Sequence, residues 1–280
     1  TVEVLAPVSL SKEKIMKVVK KTNACMVWGG AVDLAAADDK LIKIRHPLSI
    51  DPTGMLLASI MAKKKAAGAT HVLIDIPWGK GSKIETWKEA RTLRKNFLKI
   101  GKMLGLKVRA ILTNGTQPIG NGIGPALEVN DVISVLKGDG PADLRKKAIM
   151  MSTEILKLVK AKNPHKQAIQ AIESGKAYAK FKEVIYAQGG KKHFKVPRAQ
   201  HFHNVISKKQ GKIKAINNKM ISKIARLAGA PEDKTAGIYL RVHVNSKVKK
   251  GDTLYTIYSN SLQDLTTVKK RLKALNPISY

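Results

Sequence analysis

Early in the chain, a carboxylate precedes a helical pattern, and a hydroxyl and an ammonium group lie one turn apart within that pattern. Asp51-Pro52 precedes a helical pattern, and Asp at the N-cap with Pro in the first turn is a common helix start. Ser59 and Lys63 follow at positions i and i+4, so they share one face of that helix. Because neighbours such as Leu57 and Met61 are apolar, polar groups facing a sheet here need partners or a ligand. The pattern fits a binding site, and it also fits a capping residue followed by a solvated face.

Two glycine-bearing loops are candidates for holding an anion or a base. Residues 77–83 directly follow an apolar strand pattern at 72–76 and carry two glycines and two lysines. The second loop, Gly120-x-Gly122-x-Gly124-Pro125, is similar to a dinucleotide fingerprint but lacks its spacing. Neither loop has the spacing of a P-loop. For the second loop, a plain turn, a ligand-side loop and a subunit-side loop all remain open.

The sequence gives little support for a metal site or for a catalytic nucleophile. His201 and His203 lie near His193, but no carboxylate cluster accompanies them, so we predict no metal site. Cys25 is the only cysteine, which excludes an intramolecular disulfide and a zinc site built from cysteines. No Ser/His/Asp or Cys/His arrangement stands out.

The elements that must position these residues alternate between helical periods and short apolar runs. In chain order, the predicted elements are helix 12–21, strand 24–27, helix 53–67, strand 71–76, helix 86–104 and strand 108–112. This alternation predicts an α/β fold with a mostly parallel sheet and covering helices. Ligands of such a sheet lie beyond the carboxyl ends of its strands.

A second unit follows a mostly helical region at 127–186. The polar, basic stretch 188–197 indicates a boundary, so we predict an α/β domain over 1–192 and a small C-terminal α+β domain over 193–280. The elements predicted in the second domain are strands 202–206, 211–216, 238–244 and 254–258 and helices 217–228 and 262–275. The connection 245–252 is similar to the turn of a lipoyl-like barrel-sandwich. It lacks a hairpin with a modifiable lysine, so we interpret the domain as structural.

The composition is strongly basic. The 280 residues include 52 Lys plus Arg and 20 Asp plus Glu, a formal net charge of +32, and aromatic residues make up 5%. Modules that bind nucleic acid usually combine charge with Arg forks or stacking aromatics, so a solvated lysine surface is favoured and nucleic acid is not an expected partner. A noncatalytic basic module that binds RNA, or an assembly module, is the alternative from another class.

The termini and hydropathy indicate a cytoplasmic protein. No apolar run approaches the length of about 20 residues that a membrane span needs, and the N-terminus lacks the apolar core of a signal peptide. A single cysteine suits a reducing compartment. The chain begins at Thr1 with no initiator Met, which suits a piece of a longer product.

Several motifs occur in one order along nearly the whole chain. They are Trp28-Gly29-Gly30-Ala31-Val32-Asp33, Arg45-His46-Pro47-Leu48-Ser49-Ile50-Asp51-Pro52, Leu57-Ala58-Ser59-Ile60-Met61-Ala62-Lys63-Lys64, Asp75-Ile76-Pro77-Trp78-Gly79-Lys80-Gly81-Ser82-Lys83, Gln117-Pro118-Ile119-Gly120, Ile224-Ala225-Arg226-Leu227-Ala228-Gly229-Ala230-Pro231 and Gly251-Asp252-Thr253-Leu254-Tyr255. Together they resemble the thymidine and pyrimidine-nucleoside phosphorylase family, most closely its archaeal AMP phosphorylase branch.

The resemblance implies a pentosyltransferase that cleaves an N-glycosidic bond with phosphate in nucleotide salvage. In the AMP branch, AMP and phosphate give adenine and ribose 1,5-bisphosphate, with related nucleoside 5′-monophosphates as further substrates. Orthophosphate is then a co-substrate and no cofactor is expected. The family also implies a homo-oligomer, a dimer at least. The runner-up within the family is a pyrimidine-nucleoside or thymidine phosphorylase.

The resemblance also assigns roles to residues. Asp51 is the implied proton donor, and Ser59 and Lys83 are implied to contact the nucleotide. Arg45 and Lys63 match positions that hold the base in pyrimidine-specific relatives, although the spacing from Arg45 to Ser59 is one residue shorter here. A helix N-terminus lowers the pKa of a carboxyl group, so Asp51 needs burial or a bound purine to act as an acid.

One part of the family pattern has no counterpart in these 280 residues. The family's phosphate-holding segment, rich in Gly and Ser or Thr, and its N-terminal helical domain precede the matched region. We therefore expect the carboxyl-terminal portion of a longer enzyme, with little or no activity as an isolated chain.

Overall fold

A computed structural model describes residues 1–28 and 53–280, which form a mixed α/β fold. The helices in this part of the chain are α1 (Lys12–Thr22), α2 (Thr53–Ala66), α3 (Trp87–Met103), α4 (Pro125–Lys137), α5 (Ala142–Leu158), α6 (Pro164–Glu173), α7 (Lys176–Ala187), α8 (Asn218–Leu227) and α9 (Leu262–Arg271). The strands are β1 (His71–Trp78), β2 (Lys107–Asn114), β3 (Gly122–Ile123), β4 (His201–Ile206), β5 (Gly211–Lys212), β6 (Ala215–Ile216), β7 (Gly237–Leu240), β8 (Lys247–Val248), β9 (Thr253–Ser259) and β10 (Ile278–Ser279). None of these helices is long and apolar enough to cross a membrane.

The parallel pair β1 and β2 organises the first half of the chain. The pair runs in register from His71 opposite Lys107 to Trp78 opposite Asn114. One face of β1 packs against α2 and α3, in a core of buried apolar side chains. Its members include Leu57, Met61, Val72, Ile74, Ile76, Leu93 and Phe97. These strands and the helices before and between them agree with the sequence predictions within two residues at each end.

The direction of α2 follows from its short connection to β1. Only residues 67–70 separate Ala66 from His71, so α2 packs antiparallel to the strand it precedes. Near the C-terminus of α2, the Lys65 ammonium donates a hydrogen bond of 2.9 Å to the Leu104 carbonyl, just before β2 begins. The N-terminus of α2 therefore lies at the same end as the carboxyl end of β1.

Helix α5 packs against the other face of the sheet. The Lys147 ammonium on α5 lies 2.5 Å from the Asp75 carboxylate on β1, and Arg109 on β2 pairs with Glu154 on α5. A second apolar cluster joins α4 and α7 to the N-terminal segment through Leu5, Ala6, Val129 and Ile185. The predicted helical region at 127–186 is confirmed as helical, and one of its helices, α5, contacts the parallel strands.

The C-terminal part contains a four-stranded antiparallel sheet in the order β3-β7-β9-β4. Its core includes Ile221, Ile224, Ile238 and Ile257, each at most 1% exposed. Since β3 comes from the loop before α4, the sheet joins the two halves of the chain. The predicted boundary between 192 and 193 stays a prediction.

Several sequence predictions need correction. The α/β class is confirmed, but a mostly parallel sheet is wrong: within the described ranges only β1 and β2 pair in parallel, and the other sheets are antiparallel. The predicted strand at 24–27 is also wrong. Its Met26 amide donates to the Gln188 side-chain oxygen at 2.6 Å, so a distant polar side chain, rather than a neighbouring strand, holds this apolar run.

Smaller differences concern the C-terminal elements. The predicted strand at 211–216 is two short strands, β5 and β6, and β7 ends at Leu240 rather than near 244. The last helix ends at Arg271, earlier than predicted. The chain turns sharply after β7, where Asn245 has a φ of 76°.

Candidate functional site

Ser59 and Lys63 lie one turn apart on α2, as the sequence predicts. Leu57 and Met61 face the sheet and are 4% and 1% exposed, whereas Ser59 and Lys63 are both half-buried. Ser59 and Lys63 therefore lie beside the sheet-packing stripe of α2 and are partly exposed.

The turn after β1 presents Lys83 at the carboxyl end of the strand. The Gly79 amide donates to the Ile84 carbonyl at 2.9 Å, and the Ser82 hydroxyl donates to the Gly79 carbonyl at 2.8 Å. Gly79 and Gly81 have φ values of 129° and 85°, which favour glycine. These contacts hold the turn in one shape and leave the Lys83 side chain exposed.

The turns after β1 and β2 pack directly on each other. The Gly115 amide donates to the Trp78 carbonyl at 2.8 Å. A β-carbon added at Gly115 would lie 3.0 Å from the Ser82 β-carbon and 3.1 Å from the Trp78 nitrogen. Glycine at this position therefore lets the two loops form one surface at the ligand end of the sheet.

Helix α8 reaches the same surface from the C-terminal part of the chain. The Asn218 amide nitrogen Nδ2 donates to the Gly115 carbonyl at 2.8 Å, and the Lys219 ammonium lies 3.7 Å from the Glu85 carboxylate. Between α8 and the β1 turn lies a cavity of about 620 Å³. Its lining residues are Gly81, Ser82, Lys83, Glu85, Asn218, Lys219, Ser222 and Arg226.

The contribution of α8 was absent from the sequence prediction. Asn218, Ser222 and Arg226 follow at intervals of four residues, a signal that could have indicated one polar helix face. Their proximity to Lys83 depends on chain folding over more than 130 residues, which the spacing does not reveal.

The structure describes only part of the predicted site. Ser59 and Lys63 both lie on α2. Lys83 lies in the turn after β1, at the end of the sheet where α2 begins. Arg45 and Asp51 lie outside the described residues. The predicted proton donor and one predicted base contact thus have no described geometry.

The second glycine loop has a structural explanation. The Asp131 carboxylate accepts hydrogen bonds from the Asn121 amide at 2.6 Å and the Gly122 amide at 2.7 Å. Asp143 accepts from the Gly120 amide at 3.1 Å. Amides that already bind carboxylates are poor anion donors. This result favours the interpretation of the loop as a structural turn that places β3 in the C-terminal sheet.

Burial raises the pKa of Asp131, opposed by its backbone hydrogen bonds from Gly122 and Asn121. The nearby Asp143 carboxylate raises the pKa further, and His243 lowers it. The loop is therefore held by a partly desolvated carboxylate whose protonation is linked to folding.

A larger cavity of about 880 Å³ lies beside α5 on the covered face of the sheet. At its edge the Thr113 hydroxyl donates to Asp75 at 2.7 Å, and Lys147 donates to Thr113 at 3.3 Å. The cationic and anionic groups pair with each other here, so this network fixes α5 to the sheet. No group of three His, Cys, Asp or Glu side chains in the described ranges could hold a metal ion.

Comparison with known proteins gives a consistent result. Residues 212–279 match the family model of the pyrimidine nucleoside phosphorylase C-terminal domain. An AMP phosphorylase of Thermofilum pendens is 41% identical over 99% of this chain and 54% of its own length. An AMP phosphorylase of Thermococcus kodakarensis is 49% identical over 92% of the chain and 53% of its own length.

A relative with a different name is similarly close. A putative thymidine phosphorylase of Legionella pneumophila is 45% identical over 95% of the chain and 52% of its own length. The resemblance to the thymidine and pyrimidine-nucleoside phosphorylase family and its AMP phosphorylase branch is therefore confirmed. The chain spans about half the length of the curated relatives it matches.

Proposed function

From this kinship with AMP phosphorylases, we propose that the chain takes part in phosphorolysis of nucleoside 5′-monophosphates, converting AMP and phosphate to adenine and ribose 1,5-bisphosphate. The observation that carries the proposal is the similarity to AMP phosphorylases along almost the whole chain. The position of Lys83 at the carboxyl end of β1, where α/β sheets bind ligands, supports it.

The chemistry requires an acid near the base. The bond to the base breaks through a cationic, oxocarbenium-like sugar, so a proton must reach the departing base while phosphate approaches the opposite face of the sugar. Asp51 is the proposed donor. Its position before α2 favours the carboxylate form, and a bound purine that excludes water would oppose this effect.

Substrate contacts complete the proposed site. Ser59 and Lys83 contact the nucleotide, and Arg45 and Lys63 hold the base. The hydroxyl of Ser59 can donate or accept a hydrogen bond, whereas an ammonium group supplies charge to an anionic substrate. A positive net charge of +32 raises the rate at which anionic substrates encounter the protein.

A second candidate function is thymidine or pyrimidine-nucleoside phosphorolysis. The similarity to the putative thymidine phosphorylase of Legionella pneumophila favours it. The two candidates differ in the base and in the 5′-phosphate of the substrate, so comparing AMP with thymidine separates them.

We also propose a domain organisation, an assembly state, a location and a co-substrate for the protein. The chain divides near residue 192, its C-terminal α+β part is a structural module of barrel-sandwich type, and the protein assembles as a homo-oligomer in the cytoplasm. Orthophosphate is the co-substrate and no cofactor takes part.

The test combines binding and turnover. We expect weak turnover by the chain alone, because it spans about half the length of the phosphorylases it matches. Calorimetric titration therefore measures the binding of AMP, and chromatography measures the release of adenine. Lys83→Gln is expected to weaken AMP binding about tenfold, and Lys80→Gln, on the same turn, serves as the matched control. Failure to bind AMP would contradict the proposal, and release of thymine faster than adenine would favour the second candidate.

A further inference from the structure

The cavity beside Lys83 has a polar wall built by one helix face. Asn218, Ser222 and Arg226 recur every four residues on α8 and all line the cavity. On the same helix, Ile221 and Ile224 are 1% and 0% exposed and anchor it in the C-terminal core. The packed apolar face thus fixes which side chains α8 turns toward the β1 turn.

The charge of the cavity suits an anion. Lys83, Lys219 and Arg226 contribute three positive charges, and Glu85 contributes one negative charge. The Lys219 ammonium lies 3.7 Å from the Glu85 carboxylate, at the rim. A guanidinium group binds two phosphate oxygens at once, and a serine hydroxyl can donate to a third. A volume of about 620 Å³ accommodates a sugar phosphate.

The side-chain amide of Asn218 fixes the start of α8 to the turn after β2. The Asn218 nitrogen Nδ2 donates to the Gly115 carbonyl at 2.8 Å, so the other end of the amide, Oδ1, is an acceptor. Within the described part of the chain, this oxygen is buried and has no hydrogen-bond partner. An unsatisfied buried acceptor costs free energy.

We propose that this cavity binds the 5′-phosphate and adjoining ribose of a nucleoside monophosphate, with Arg226, Ser222 and Lys219 as phosphate-binding residues that select nucleotides over nucleosides. The inference rests on the proposed function, because it concerns the phosphate end of the same substrate. It assigns this selection to α8, in the C-terminal part of the chain, rather than to the β1 turn alone.

The test compares two charge-removing variants on one helix. AMP, ribose 5-phosphate and adenosine are titrated into the parent chain, Arg226→Gln and Lys223→Gln at fixed ionic strength. Lys223 is exposed on α8 but does not line the cavity, so its variant controls for loss of general positive charge. Arg226→Gln is expected to weaken AMP and ribose 5-phosphate binding about tenfold or more and to leave adenosine binding unchanged. Lys223→Gln is expected to change no affinity more than about twofold.

Other outcomes overturn the inference. These are equal losses in both variants, a parallel loss of adenosine affinity, or no binding of ribose 5-phosphate by the parent chain. Equal thermal unfolding midpoints exclude misfolding, and Lys219→Gln provides a second variant if Arg226→Gln is unstable. Adenine release unaffected by Asp51→Asn would instead contradict the proposed catalytic role, whatever the titrations show, so the two failures are distinguishable.

Discussion

Asn218 at the start of α8 donates a hydrogen bond of 2.8 Å to the carbonyl of Gly115 in the turn after β2. This contact joins residues 103 apart in sequence and brings a helix of the C-terminal core to the ligand end of the parallel strands. The candidate site therefore draws side chains from both halves of the chain.

Asn218→Ala tests the contribution of this contact to stability. The variant removes one donor to a backbone carbonyl and also removes Oδ1, which has no hydrogen-bond partner among the described residues, so we expect a loss of about 0.5–1.5 kcal/mol in the free energy of unfolding. Urea denaturation measures the change. Lys219→Ala, on the same turn of α8, removes an exposed pair and should cost less than about 0.5 kcal/mol. Equal effects of the two substitutions would contradict the account.

Gly101→Ala tests the close packing of α3 on β2. A β-carbon at Gly101 would lie 2.2 Å from Val108 Cγ2, inside the core, so we expect destabilisation of about 1–3 kcal/mol. Gly54→Ala, on α2, is the matched control because an added β-carbon there meets no atom within 4 Å. The control is expected to be neutral or to stabilise by up to about 1 kcal/mol, because alanine favours helix. Unfolding midpoints of both variants give the comparison.

The pH dependence of stability tests the environment of Asp131. Burial raises the pKa of this carboxyl in the folded state above its unfolded value of 3.8. The folded state then binds more protons between the two pKa values, so the contribution of Asp131 to stability is complete below about pH 3.8 and is lost as pH rises through the folded pKa.

Asp131→Asn removes this titration. The unfolding free energy of the parent minus that of the variant is expected to decrease from pH 4 to pH 7, which separates Asp131 from the other carboxyl groups. Urea titrations at several pH values provide the difference. A difference that rises over this range would indicate a lowered pKa and would refute the assignment.

Lys147→Met tests the ion pair that holds α5 on the sheet. The ammonium of Lys147 and the carboxylate of Asp75 are each about a fifth exposed, and their atoms are 2.5 Å apart. Removing the cation leaves Asp75 partly buried, with the Thr113 hydroxyl as its hydrogen-bond donor in the described part of the chain, so we expect a loss of about 1–3 kcal/mol. Lys146→Met, at the exposed neighbouring position, is the control and should change stability by less than about 0.5 kcal/mol.

Local sequence patterns predicted much of the fold. The strands at 71–76 and 108–112 and the helix at 86–104 appear where the pattern places them, because apolar runs and helical periods depend on a few neighbouring residues. The apolar run at 24–27 misled the prediction, because its partner is the side chain of Gln188, 162 residues from Met26.

The candidate site shows the same limit. The turn with Lys83 could be predicted because glycines come directly after an apolar strand. The shared face of Ser59 and Lys63 could be predicted from their helical spacing. The part played by Arg226 depends on how α8 packs against another region of the chain. Pattern arguments do not reach contacts of this separation.

Adenine release from AMP in the presence of phosphate is the measurement that tests the central proposal most directly. The parent chain and Asp51→Asn are incubated with AMP or thymidine, and the products are separated by chromatography. We predict slow release of adenine that requires phosphate and falls at least about a hundredfold in Asp51→Asn, consistent with the loss of general acid catalysis. Release at an unchanged rate in Asp51→Asn, or none from AMP alongside release of thymine from thymidine, would contradict it.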